Sequence, residues 1–298
     1  MIEPISVGAT AHFDFLKAKL DWELRNLQND GLQVSIDETS VGEINFVGCN
    51  VADYGSWSYS EDDISNIFRH YVANVVSDVI VSEWEEDLLE EIIRENYYYF
   101  NQDERKIIFD YASRNLNHGM DTAEDALVYK INRKSKILQK LLDYLSVNNQ
   151  LVVDGFVKFR LKEYLGELEE SVERAVDDFI MDREYKEFIR LLKYFVDIQE
   201  PRIELVHVTM TPSGAFRLRD KDRQVIESDY LDGMLIDQAG SEINYEDLLV
   251  SALITLAPRE VVLHIKDDTQ YDNTVTTLKN VFATRVRLCK GCDLCLST

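Results

Sequence analysis

Residues 154–207 read DGFVKFRLKEYLGELEESVERAVDDFIMDREYKEFIRLLKYFVDIQEPRIELVH, and a change of period inside them decides the fold. Phe156, Phe159, Leu161, Tyr164, Leu165, Leu168, Val172, Ala175, Val176, Phe179 and Ile180 recur mainly three and four positions apart, which lines them along one side of a helix. Lys158, Lys162, Glu163, Glu167, Glu170 and Glu173 fall between them and suit a solvated face. Asp154 is the expected N-cap. A second helical segment carries Tyr185, Phe188, Ile189, Leu192, Phe195 and Val196 on its apolar side. Pro201 stops it, because proline has no N–H to give and clashes with the preceding turn. So much amphipathic helix is not stable alone in water, so the stripe must pack against something. It is the expected spine. Beyond Pro201 the period drops to two, and RIELVHV reads as a strand.

Outward from the spine, the chain divides into three expected regions: an α/β module at 1–60, a helical region at 61–200 and an α+β module at 201–298. In the first, Ile5 and Val7 mark a strand, 12–29 a helix and Gly31 its stop. LQVSI and EINFVGCNV are two strands joined by a polar turn around 37–42, followed by a loop at 53–60. Ser60 and Asp63 have the spacing of a capping box that opens the helical region. Residues 83–95 read as an amphipathic helix with an acidic outer face, and further helices are expected at 103–116 and 122–145. Tyr97, Tyr98, Tyr99 and Phe100 read as helix-packing residues rather than a base-stacking platform, given the acids around them.

The C-terminal third alternates. RIELVHVTM and AFRLR form a hairpin across 211–214, RQVI adds a short third strand, and Asn244 caps a helix that Pro258 ends. EVVLHI is a buried strand, 273–283 a last helix and RVRLC a last strand. The class is therefore α+β, a largely helical middle flanked by two small α/β modules. Its two ends are candidates for one shared sheet, with two separate caps as the alternative.

The run FVKFRLKEYLGELEESVERAVDDFIMDREYKEFIRLLKYFVDIQEP with RIELVHV after it, and the later EINYEDLLVSALITLAP and RVRLCKGCDLC, resemble the YtxC-like sporulation proteins of endospore-forming Firmicutes. The likeness is densest from residue 154 onward. That family has no assigned biochemical activity, so the resemblance implies a sporulation setting and carries over no catalytic residue.

The charge narrows the partners. Fifty-five acidic against 32 basic residues leave a net charge of −23. Such a surface repels phosphate backbones and anionic lipids, which argues against general nucleic-acid binding. The one basic run, Lys130, Arg133, Lys134, Lys136 and Lys140, reads as a solvated helix face beside acidic neighbours. No apolar run approaches the roughly 20 residues of a membrane span. MIEPISVGATAHFDF lacks the basic start of a secretory signal, so a cytoplasmic location is expected.

Chemistry concentrates at the far end. Cys289, Cys292 and Cys295 are separated by two residues each, with Gly291 relaxing the loop. Bacterial-type ferredoxins present three thiolates to a cluster in this way, and zinc accepts the same set with one more donor. Cys49, the remaining cysteine, is a candidate fourth ligand, and His207 and His264 are others. Arg285, Arg287 and Lys290 are expected to lower a thiol pKa. Against the metal reading stands a hook of three reduced thiols near the chain end. His264, between Leu263 and Ile265, also reads as a satisfied core histidine. Glu204 and His207 have the spacing of a di-iron motif. That motif needs a helix, and on a strand positions three apart face opposite ways. No Gly-rich phosphate loop, GxSxG elbow or HExxH helix is present.

Three readings follow. The first is a non-enzymatic, sporulation-associated protein acting through a protein partner of its helical spine, with oligomeric state open. The second is a zinc or iron–sulfur protein whose C-terminal thiols serve structure or redox sensing. The third is an enzyme with an unfamiliar site involving His207 and His264.

Overall fold

The computed structural model describes residues 2–29, 31–53, 60–117, 123–210, 216–226, 245–265 and 272–296. The expected loop at 53–60, the hairpin turn at 211–214 and the cap at Asn244 lie wholly or mostly outside them. The chain forms two compact units, Met1–Ile180 and Met181–Thr298. The N-terminal α/β segment and most of the helical region share the first.

The first unit begins with β1 (Ile5–Ala9) and α1 (Phe13–Asn29), then β2 (Gln33–Val41) and β3 (Ile44–Asp53). β1 lies between β3, antiparallel, and the three-residue β4 (Gln150–Val152), parallel. The sheet order is β2-β3-β1-β4. The β2–β3 turn is tighter than the sequence suggested. β2 runs to Val41, which pairs with Ile44, and Gly42 turns the chain at φ +64°. The polar Thr39 and Ser40 are exposed strand residues, because this end of the edge strand β2 is uncovered on both faces. Ile5, Val7, Val47 and Leu151 join Leu16, Leu20 and Leu24 of α1 in one core.

That core continues into α2 (Glu61–Val79), a π-helical turn (Ile80–Trp84), α3 (Glu85–Asn96), α4 (Gln102–Asn117) and α5 (Ala123–Leu145). The expected capping box is present: Ser60 Oγ accepts from Asp63 N–H, and the Asp63 carboxylate accepts from Ser60 N–H. Two expectations fail at single residues. Glu85 and Arg133, read as members of solvated faces, are buried together. The guanidinium donates from Nε and Nη2 to both Glu85 oxygens at 3.0 Å, and Tyr164 donates to Glu85 at 2.8 Å. Leu116 O and Asn117 Oδ1 accept further bonds from Arg133. Lys134, Lys136 and Lys140 do sit beside acids, namely Asp78, Glu167 and Glu163. The aromatic cluster splits: Phe100 is buried edge-on to Phe179 at 5.4 Å, whereas Tyr98 and Tyr99 are exposed.

The spine is two helices, α6 (Val153–Arg160) and α7 (Lys162–Ile198), parted at Leu161. Leu161 leaves helical geometry (φ −103°, ψ 38°) and is buried. Asp154 is not the N-cap, since α6 starts one residue earlier, after Val152. Its carboxylate instead accepts from Thr10 N–H at 2.8 Å and Trp84 Nε1–H at 3.3 Å, which ties α6 to the end of β1. Among the described residues no helix is long and apolar enough to cross a membrane.

The second unit contains the end of α7, β5 (Ile203–Met210), β6 (Phe216–Arg219), α8 (Tyr245–Leu256), β7 (Pro258–His264), α9 (Asp272–Phe282), β8 (Val286–Leu288) and the short α10 (Asp293–Leu296). Its sheet runs β6-β5-β7-β8, with β5, β7 and β8 parallel and β6 antiparallel at the edge. RQVI adds only an isolated bridge, Arg219 to Val225. The two ends of the chain therefore build two sheets, not one, because β4 fills the place beside β1. Val206, Val208, Val261 and Leu263 pack with Val196, Leu249, Leu253, Val275, Leu278 and Phe282 in a separate core. By the two-residue period, His207, Thr209, Val262 and His264 share the opposite face of this sheet.

Candidate metal centre

His264 is the last residue of β7, and β8 runs parallel beside it with Leu288 opposite Leu263. Cys289 follows directly and extends the ladder by one bond, its N–H donating to Leu263 O at 2.9 Å. The β7–α9–β8 crossover thus brings a histidine and a cysteine from neighbouring strand ends side by side. Gly291 then adopts φ +118°, a left-handed value that a side chain disfavours, and the chain doubles back. The short α10 returns Cys292 and Cys295 to the same spot.

The result is a compact group of four donors. His264 Nδ1 stands 3.3 Å from Cys292 Sγ and 3.3 Å from Cys295 Sγ, and the two sulfurs are 3.9 Å apart. With Cys289, all four donor atoms lie within 4.8 Å of one another. On the far side of the ring, His264 Nε2 is 2.9 Å from Nδ1 of His207 on β5. His264 is buried at 2% exposure and His207 is half-buried. His264 is thus a well-partnered core histidine, as its apolar neighbours suggested, and one of its partners is the thiol group.

The electrostatics favour the metal-binding form at His264 and Cys292 and oppose it at Cys295. Burial holds both imidazoles below the usual histidine pKa, helped by Arg223 and Arg287, so both are neutral near pH 7. Cys292 is held below the ordinary thiol range, chiefly by backbone N–H groups of Cys295 and then Leu294. Burial pushes Cys295 up. The shifts of Cys292 and Cys295 come from backbone groups, burial and neighbouring thiols, not from Arg285, Arg287 or Lys290, which were expected to lower them. Arg285 donates to Val196 O at 3.0 Å and Pro258 O at 3.3 Å, tying α7 to β7, and Arg287 pairs with Glu260.

Cys49 is not a member of the group. It lies on β3 in the core of the first unit, opposite Ile5 and Ile36, with its thiol pushed up to about 12 by burial and then by Asp37. A buried neutral thiol of this kind behaves as a small apolar side chain. Glu204 and His207 do share a strand, and Glu204 pairs with Lys221. A strand–helix–strand unit brings the ends of its parallel strands together, which marked His264 as one candidate without setting it above the rest. A groove of about 940 Å³ between α7, α8 and α9, lined among others by Tyr185, Ile189, Val250 and Thr277, includes none of these four residues.

A family model for the YtxC-like family matches residues 70–287. The protein described as "Uncharacterized protein YtxC" from Bacillus subtilis (strain 168) is 30% identical over 207 residues, covering 68% of this chain and 71% of its own. The family match spans His207 and His264 and ends before Cys289. No solved structure matches this chain.

Proposed function

This chain belongs to the YtxC-like family, and we propose that its second unit is a metal-binding module. Cys289, Cys292, Cys295 and His264 hold one zinc ion that fastens the C-terminal segment to the sheet. The size of the donor group carries this reading. Zinc binds thiolate at about 2.3 Å and imidazole at about 2.0–2.1 Å, so tetrahedral edges are about 3.8 Å between sulfurs and about 3.5 Å from sulfur to nitrogen. Among His264, Cys292 and Cys295 the corresponding separations are 3.9 Å and 3.3 Å, and the whole group, Cys289 included, spans up to 4.8 Å, so the fourth donor closes in when the ion binds. In a [4Fe–4S] cluster each thiolate binds a different iron and the sulfurs stand farther apart, which favours a single ion over a cubane cluster. Four protein donors leave no open position, the pattern of a structural rather than a catalytic site.

His207 supports the centre without touching the ion. Metal on Nδ1 of His264 leaves the proton on Nε2, which donates to Nδ1 of His207 and fixes ring and tautomer. The physiological setting, sporulation in the cytoplasm, where thiols stay reduced, rests on the resemblance of residues 154–207 and on compartment chemistry. A second reading is action through a protein partner. It is favoured by the exposed apolar residues on the last turns of α7, among them Phe188, Leu191 and Phe195.

The test is the metal content of protein purified anaerobically. One zinc per chain is expected, falling to less than about a tenth of that in C292S, which loses one of four ligands. Cobalt substitution should give thiolate charge-transfer bands that shift in H264A. Metal-free wild-type protein, or metal retained in C292S, would sink the proposal. A deletion strain with normal spore yield would sink the sporulation setting alone.

A further inference from the structure

From Met181 onward α7 carries one apolar arc of roughly 220°, of which only part meets the core. Ile189, Leu192 and Val196 pack on the core of the second unit, and the Tyr185 hydroxyl lies 3.1 Å from Thr277 Oγ1. Met181, Phe188, Leu191, Tyr194, Phe195 and Ile198 are between 51% and 61% exposed, with Phe188 at the rim of the groove that Tyr185 and Ile189 line. At about 100° per residue these six span an arc of roughly 140°. The core-facing Tyr185, Ile189, Leu192 and Val196 span only about 60° beside that arc, so the apolar surface of this stretch is far wider than its contact with the core uses. Phe188, Leu191, Phe195 and Ile198 follow the 3-4-3 spacing of a coiled-coil seam, and Met181 extends it back by seven residues.

We propose that this face is the contact between two copies of the chain, paired through antiparallel α7 segments. The inference rests on the second reading above, interaction through α7, and names the partner. Charge selects a second copy. The whole chain carries −23, yet residues 181–198 hold four basic residues (Arg183, Lys186, Arg190, Lys193) and four acidic ones (Asp182, Glu184, Glu187, Asp197). Two copies that repel elsewhere meet here without net repulsion. Glu184 selects the direction. It occupies the seam position four before Phe188, so parallel helices would set it against its own copy. Antiparallel helices set it against Phe195, with Phe188 against Leu191 and Met181 against Ile198. The area suffices: six half-exposed side chains offer roughly 100 Å² each, so a pair buries about 1,200 Å² in all, the lower bound of a specific interface.

The experiment is sedimentation or light scattering of the full-length, metal-loaded chain across a concentration series. A dimer is expected. L191E, at an exposed position, should raise its dissociation constant at least about tenfold. E184L removes the one charge in the seam and should lower it. Circular dichroism and metal content should stay unchanged in both variants. A chain that is monomeric at every concentration, or a dimer indifferent to both substitutions, overturns the proposal. If the chain is monomeric but L191E abolishes sporulation, the second copy is refuted while a foreign partner for α7 stands. If L191E changes neither, both fail.

Discussion

Arg133 and Glu85 carry opposite charges on different helices, and both are almost sealed from water. The pair persists because every guanidinium nitrogen donates: two bonds to Glu85, one to Leu116 O and one to Asn117. Tyr164 adds a fifth contact, and burial beside Glu85 keeps its phenol protonated and donating. Removing one charge strands the other, so E85A should cost about 3–5 kcal/mol. Y164F, which leaves the ion pair whole, should cost about 1–2 kcal/mol. Urea denaturation of both variants checks the order. Neither residue could be singled out in the sequence. Glu85 stands among Glu83, Glu86 and Asp87, and Arg133 among lysines, so only tertiary packing distinguishes them. The cysteines were legible because their spacing is local. His264 was legible only as one candidate among several, because its partners lie 28 and 31 residues away and meet it only through strand pairing.

At the scale of elements, the helices were read best where signals are local and redundant. Ser60 and Asp63 declared the start of α2, and S60A should lower thermal stability by about 1 kcal/mol, whereas S60D should largely preserve it. A loss below a few tenths would mean that packing alone fixes the start of α2. Asp154 shows the limit of the same logic. Its residue type suited a cap, yet its carboxylate was recruited by Thr10 and Trp84, far away in sequence. The break at Leu161 was equally silent, because Leu161 continues the apolar period and is buried by both helices' packing. In β2, the polar run Asp37–Ser40 looked like a turn because an exposed strand edge and a turn have the same composition. On the last turns of α7 the residues from Tyr185 to Val196 read as a single apolar side, and the structure buries only part of it. Phe188 and Phe195 belong to the exposed part.

At the scale of the molecule, two units with separate cores divide the work. The α+β class and the helical middle followed from the change of period at Pro201. The number of sheets did not, because the three residues of β4, which complete the first sheet, are too few to carry a pattern. The second unit gathers a histidine and three thiols at the carboxyl ends of its parallel strands. The proposed zinc would close this end of the second unit, coupling metal binding to its stability. X-ray absorption at the zinc edge of the purified protein tests the proposed centre most directly. Three sulfurs at about 2.3 Å and one nitrogen at about 2.0–2.1 Å are the expected shell. A shell of four sulfurs, which would need Cys49, or one of oxygen and nitrogen alone, would contradict the proposed centre.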